Sequence, residues 1–277
     1  DGVGYLAIDS DWRKPQFSRD IPADVSTCRM VLGHRRLSII DLSDAGTQPM
    51  STPDAQLWIT YNGEVYNYIE LRKELQSLGV SFRTETDTEV VLRAYQVWGA
   101  DCVARFNGIW AFAIVDMAAR TVFCSRDRFG VKPFHYYQNE AAGQFAFSSE
   151  IKQLVPLSER LINDSAVYEF LTVGSNDHSS STFFSDIMAL APGENMMVGA
   201  DGSIKRRWQY YQPELQATAA SISANAAGEQ FRELLFDAVR FGIELSDEAL
   251  ADAVAQERAY SSPIWLKPAP PALMEER

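Results

Sequence analysis

Cysteine is scarce in this chain of 277 residues: Cys28, Cys102 and Cys124 are odd in number, far apart and without CxxC spacing. That excludes a disulfide scaffold and points to a reducing compartment, so the expected location is the cytoplasm. Long apolar runs are also missing. The longest, Ile109 to Val115 (IWAFAIV), is far too short to span a bilayer, and no basic leader-like region opens the sequence, so no membrane partner is expected. Basic charge is in deficit: 25 Lys and Arg stand against 37 Asp and Glu, a net charge of −12. A chain this acidic repels phosphate backbones, which excludes nucleic acid as a partner. Histidine is rare as well. His34, His135 and His178 show no metal-ligand spacing, so packed or solvated imidazoles are expected and no metal site.

What is present is a globular composition, 46% hydrophobic and 12% aromatic, with ample apolar material for a core. The first half reads as α+β. Met30 to Leu42 and Leu57 to Tyr61 are β-branched and aromatic, and Asn62-Gly63 then reads as a turn pair. Asn67 with Glu70 caps a helix whose Leu71, Leu75 and Leu78 share one face before Gly79. Thr86 with Glu89 repeats the device for a helix with the stripe Val90, Val91, Ala94, Tyr95 and Trp98, ended by Gly99. From Gly108 onward IWAFAIVD, TVFCSRD, FHYY and FAFSS read as a meander of strands. The unbroken run in the first implies a central strand covered on both faces.

The predicted organisation is one compact domain over 1–160, an extension of strands and loops over 161–217, a linker over 218–228, a helix within 229–243 and an acidic, then Pro-rich, tail over 244–277.

Several motifs carry little chemistry. GVGYLA near the start matches the loose dinucleotide fingerprint, yet no helix pattern comes after it. Ser149-Glu150-Ile151-Lys152 matches the SxxK of serine acylating enzymes without their companion motifs, and reads as coincidence. Cys124, inside an apolar strand, reads as a small core residue. Asn62-Gly63-Glu64 is the strongest local signal, because a glycine N–H and an Asn amide side by side are two donors suited to an oxyanion hole. A hairpin turn is the plainer reading of the same tripeptide. Arg35 and Arg36 in an apolar strand ask for a carboxylate partner, and Asp87 in the first helical turn suits either the helix dipole or a ligand ammonium.

GHRRLSIIDLSDAGTQPM, YNGEVYNYIELRKEL, TDTEVVLRAY, RFNGIWAFAIVD and SRDRFGVKPFHYY together resemble the glutaminase domain of glutamine-dependent asparagine synthetases. The likeness runs from Asp1, which resembles the last residue of an RGPD motif, to about Arg240. It implies an αββα sandwich of antiparallel sheets, of the N-terminal-nucleophile hydrolase type, without the family's first strand and helix.

It also implies glutamine as substrate: Arg36 on the α-carboxylate, Leu37 and Ile40 shaping the pocket, Asn62 and Gly63 as oxyanion hole, and Glu64 and Asp87 on the α-amino group. The family's nucleophile is an N-terminal cysteine, and none of the three cysteines here matches its position. FRELLFDAVR resembles the helix before the family's pyrophosphate loop, whose own motif is not found after it. ATP and Mg are thus expected for a synthetase domain and no cofactor for this chain, and a homodimer is compatible with the resemblance. A catalytically silent glutamine-binding or scaffold module is the alternative expectation. A sugar-phosphate or phosphoribosyl amidotransferase sharing the fold is a third.

Overall fold

The computed structural model describes residues 3–9, 12, 15–20, 28–35, 44–174, 179–213 and 223–243. The chain divides into two units, Asp1–Gln212 and Pro213–Arg277.

In the first unit the elements run β1 (Val3–Asp9), β2 (Pro15–Ser18), β3 (Cys28–Arg35), β4 (Met50–Ser51), β5 (Leu57–Val65), α1 (Tyr68–Ser77), α2 (Asp87–Trp98), β6 (Gly108–Asp116), β7 (Thr121–Arg126), β8 (His135–Asn139), β9 (Gln144–Ser148), α3 (Asp164–Val173), β10 (Ile187–Ala189), β11 (Glu194–Gly199) and β12 (Ile204–Gln209). Six strands form one sheet in the order β12-β11-β7-β6-β5-β4, and two three-stranded sheets, β2-β1-β3 and β10-β8-β9, complete the set. Among the described residues every strand pairing is antiparallel.

Alternation along β5, β6 and β7 divides their side chains between two cores. Ile59, Tyr61, Phe112, Ile114 and Phe123 meet Leu71 and Leu75 of α1 and Val90, Val91 and Ala94 of α2 on one face. Trp58, Ala113, Val115 and Cys124 meet Leu6, Ile8, Leu32 and Tyr136 of the smaller sheets on the other. Outside β8 and β10, Tyr137 and Ile187 are covered by Leu154 with Ile151, Val155 and Phe184. The molecule is therefore α+β with packed antiparallel layers. β6 is the covered central strand its composition requires, buried from Ile109 to Val115.

Several sequence expectations need correction. Asn62-Gly63 is not a turn: β5 continues to Val65, pairing Asn62 with Ala111, Gly63 with Trp110 and Val65 with Gly108. The strands after Gly108 form no single meander, because β6 and β7 belong to the large sheet while β8 and β9 belong to another. Asn67 precedes α1 without capping it; its amide instead donates to Arg105 O at 2.9 Å and accepts from Asn107 N at 2.8 Å, tying the helix to the turn before β6. Leu78, expected on the buried face, is 57% exposed one residue past the helix.

The Thr86 cap forms, accepting from Glu89 N at 3.2 Å. The Glu89 carboxylate does not reciprocate as a capping box would, but accepts from Arg83 N and Thr84 N. In the extension, α3 is capped by Asn163, whose side chain accepts from Ala166 N at 3.3 Å, and ends at Gly174.

The second unit contains α4, Ala224–Ile243. It takes in residues 224–228, assigned from the sequence to a linker, because alanines there favour the helix and Ser223 accepts from Ala226 N at 3.3 Å.

Candidate functional site

Asn62, Gly63 and Glu64 lie near the end of β5, where it pairs with the start of β6. Neighbouring Tyr61 and Val65 belong to the helix-side core, so alternation turns Asn62 and Glu64 toward the interlayer face. Gly63 sits between them on the helix side. A Cβ there would stand 2.2 Å from Ile109 O and 2.7 Å from Trp110 Cα, so only glycine permits this approach of the two backbones. The constraint is mutual, since a Cβ on Gly108 would stand 2.1 Å from Glu64 O.

Asp87 opens α2 and is buried. One carboxylate oxygen accepts from the Tyr61 hydroxyl at 2.8 Å and from Val65 N at 3.1 Å. The two donors flank residues 62–64, so the carboxylate is held beside the tripeptide, on the helix side of the strand. Burial raises the Asp87 pKa, with the Val65 and Tyr61 hydrogen bonds opposing. Burial, then the Asp87 charge, holds the Tyr61 hydroxyl well above its ordinary value, so it remains a donor.

The Asn62 amide Nδ2 lies 3.4 Å from Ser149 Oγ, on the residue immediately after β9. Lys132 is half-buried near Glu64: desolvation lowers its pKa, and Glu64 and then Asp127 oppose the shift. Sequence reading missed both residues in this role. Arg36, Leu37 and Ile40 lie outside the described residues, as does His178. Arg35 is exposed on β3, and His34 on the same strand contacts Thr60 Oγ1 at 3.1 Å through Nδ1.

Opposite Gly63, the turn over residues 126–132 supports Trp110. Asp127 is fully buried and accepts from Phe129 N and Val131 N at 3.0 Å, Lys132 N at 2.9 Å and Trp110 N at 3.3 Å. Arg126 donates to Lys132 O, Gly130 O and Leu190 O, and Arg128 donates to Phe106 O. These charged residues hold backbone in place.

Cys102 and Cys124 are buried core thiols whose pKa values burial pushes far up, which is wrong for a nucleophile. The Lys152 of the SxxK motif pairs with Glu150 at the surface and not with Ser149. Among the described residues no His, Cys, Asp or Glu group could hold a metal ion, and no helix is long and apolar enough to cross a membrane.

Layered antiparallel sheets of this kind are also the fold of a solved amidotransferase. The solved structure of glutamine phosphoribosylpyrophosphate amidotransferase from Bacillus subtilis complexed with ADP and GMP shares the fold, with TM-score 0.52 at 18% identity over 76% of this chain and 43% of that one. Residues 20–210 match the glutamine amidotransferase domain family, and the chain belongs to it. Residues 229–268 match a family of proteins of unknown function.

The domain is homologous to the glutaminase part of asparagine synthetases. It is 37% identical over 227 residues to a Methanocaldococcus jannaschii protein carried under the name of glutamine-hydrolyzing asparagine synthetase 2, covering 76% of this chain and 42% of that protein. It is 35% identical over 214 residues to glutamine-hydrolyzing asparagine synthetase 3 of B. subtilis, covering 76% of this chain and 34% of that protein. The chain thus spans less than half the length of these relatives.

Proposed function

We propose that this chain is the glutamine-binding part of a glutamine-hydrolysing asparagine synthetase. The observation that carries the reading is the buried Asp87 carboxylate, hydrogen-bonded to Tyr61 and Val65 on either side of Asn62, Gly63 and Glu64, which puts it beside the backbone of that tripeptide at the strand end. Asn62 Nδ2 and the Gly63 N–H serve as oxyanion donors for the substrate carboxamide, and Glu64 with Asp87 takes the α-ammonium. Arg36, with a guanidinium fork matched to a carboxylate, takes the other end of the amino acid, with Leu37 and Ile40 beside it.

Bond-breaking in this reading belongs to a cysteine with a free α-amino group. Its thiolate adds to the carboxamide carbon, ammonia leaves to give a thioester, and water releases glutamate. Cys28, Cys102 and Cys124, being internal, have no free amine, so the chain as written is expected to bind glutamine without hydrolysing it. ATP, with Mg, and aspartate belong to a synthetase domain in this reading, and the cytoplasm is its site of action.

Calorimetric titration with L-glutamine tests the binding half, and loss of the heat in Asp87→Asn, with most of it kept in Asn62→Ala, is the supporting result. The hydrolytic half is tested by placing a Met-Cys-Gly segment and its adjoining strand ahead of Asp1 and measuring ammonia release. Hydrolysis that falls about a hundredfold or more in Asn62→Ala supports the oxyanion role. Absence of glutamine binding would overturn the reading, and binding without hydrolysis in the extended chain would favour a silent glutamine-binding module.

A further inference from the structure

We propose that Ser149 is a positioning residue for the oxyanion amide of Asn62; the proposal rests on the glutaminase reading above. An Asn amide turns about a broad, roughly two-fold terminal torsion, so the strand alone does not decide which end faces the substrate. The wrong end would aim a carbonyl oxygen at a developing negative charge. Ser149 Oγ, 87 positions away in sequence and 3.4 Å from Asn62 Nδ2, marks the nitrogen end by accepting one of its two hydrogens. The second N–H of the same group then remains to be directed at the oxyanion. Donors fixed before the reaction need no reorganisation during it, which is where such a hole gains its effect.

The serine is itself held. It comes directly after the last residue of β9, Ser148, which pairs with His135 at the start of β8. His135 Nδ1 lies 3.2 Å from Ser149 O. A carbonyl only accepts, so Nδ1 carries the proton at this contact. Burial, opposed by the bond to Ser149, lowers the imidazole pKa, which favours the neutral ring this arrangement uses. The Ser148 hydroxyl donates to Glu150 O at 2.7 Å, securing the backbone on the other side. The contact therefore joins the two sheet layers: Asn62 comes from the large sheet and Ser149 from the end of the β8–β9 hairpin. Ser149 has no part in a Ser-Lys dyad, because Lys152 is engaged by Glu150 at the surface.

The first test reads the side-chain amide resonances of Asn62 in the full chain, assigned by their loss in Asn62→Ala. Ser149→Ala should shift that pair, and Ser149→Thr, which keeps the hydroxyl, should return it toward wild type. The second test uses the chain extended with the Met-Cys-Gly segment. Ser149→Ala should lower kcat about tenfold while KM for glutamine stays within about twofold, because the amide acts on the transition state more than on the bound ground state. Thr should restore most of the rate. Asn62→Ala/Ser149→Ala should be no slower than Asn62→Ala alone, since a residue acting only through Asn62 has nothing left to act on.

An unshifted Asn62 pair in Ser149→Ala, an unchanged kcat, or losses that multiply in the double variant would overturn the proposal. Should the extended wild-type chain release no ammonia, the glutaminase reading fails, and the resonance test still decides whether Ser149 orients Asn62.

Discussion

Burial of the Asp87 carboxylate disfavours its charged form, and the Val65 N–H and Tyr61 hydroxyl offset only part of that cost, so its pKa stands above the ordinary 3.8. Between that value and the raised folded one, the folded chain binds more proton than the unfolded chain. Stability from this group accordingly falls as pH rises from about 4 through the folded pKa, then levels. Urea titrations over that range should show the slope, and Asp87→Asn should remove it. The same variant should lower glutamine affinity about tenfold or more, because a neutral amide no longer answers an ammonium. A variant that keeps both the slope and the affinity would remove Asp87 from the site.

Gly63 makes a steric rather than electrostatic prediction. With its Cβ position 2.2 Å from Ile109 O, Gly63→Ala must part β5 from β6, costing about 1–3 kcal/mol or more by overpacking. A urea midpoint equal to wild type would show that the strands yield there freely.

At the scale of elements, the turn between β7 and β8 depends on one carboxylate. Asp127 accepts four backbone N–H groups, and the Asp127→Ala variant would leave buried donors unpaired. Hydrogen bonds to a charged group contribute about 1.5–3 kcal/mol each and are not additive, so a total loss of roughly 4 kcal/mol or more is expected. Asp127→Asn, which keeps one acceptor oxygen, should lose less. Equal denaturation midpoints for wild type and Asp127→Ala would refute this account of the turn.

None of that network is visible in the sequence, where SRDRFGVKPFHYY carries a family resemblance but gives no sign of which donors Asp127 holds. The helices were more legible because their evidence is local: Leu71 and Leu75 fall one turn apart, and Thr86 caps the residue three places on. Asn62-Gly63 misleads for the converse reason. The pair is a turn signal within its own tripeptide, but it lies in a strand whose register is set by β6 and whose glycine answers to Ile109 and Trp110. Asn67 likewise has cap chemistry locally and is drawn to Arg105 and Asn107 by the fold. Within the site, the tripeptide and Asp87 could be singled out from residue type, whereas Ser149 could not, because only the packing of two layers brings it to Asn62.

For the whole molecule, the chain divides after Gln212, and the apolar clusters described above lie in the first of the two units. Among the described residues the three apolar clusters draw on Tyr210 and earlier positions, which makes residues 1–212 the piece to test as a folding unit. On α4, Phe231 and Leu234, which share a face, are 67 and 70% exposed, and Phe236 on another face is 59% exposed, on a chain whose net charge of −12 opposes aggregation. A chain ending at Gln212 should therefore unfold in one cooperative transition within a few degrees of the full chain's, since ΔΔG near zero leaves Tm near its place. Its glutamine titration should be unchanged, because Asn62, Gly63, Glu64 and Asp87 all lie in the first unit. The full chain should bind more of an apolar dye such as anilinonaphthalene sulfonate, and Phe231→Ser with Leu234→Ser should bring that excess down toward the shortened chain's level. A shortened chain that loses its cooperative transition would mean that the first unit draws stability from residues after Gln212, and the boundary would have to be abandoned as a folding boundary.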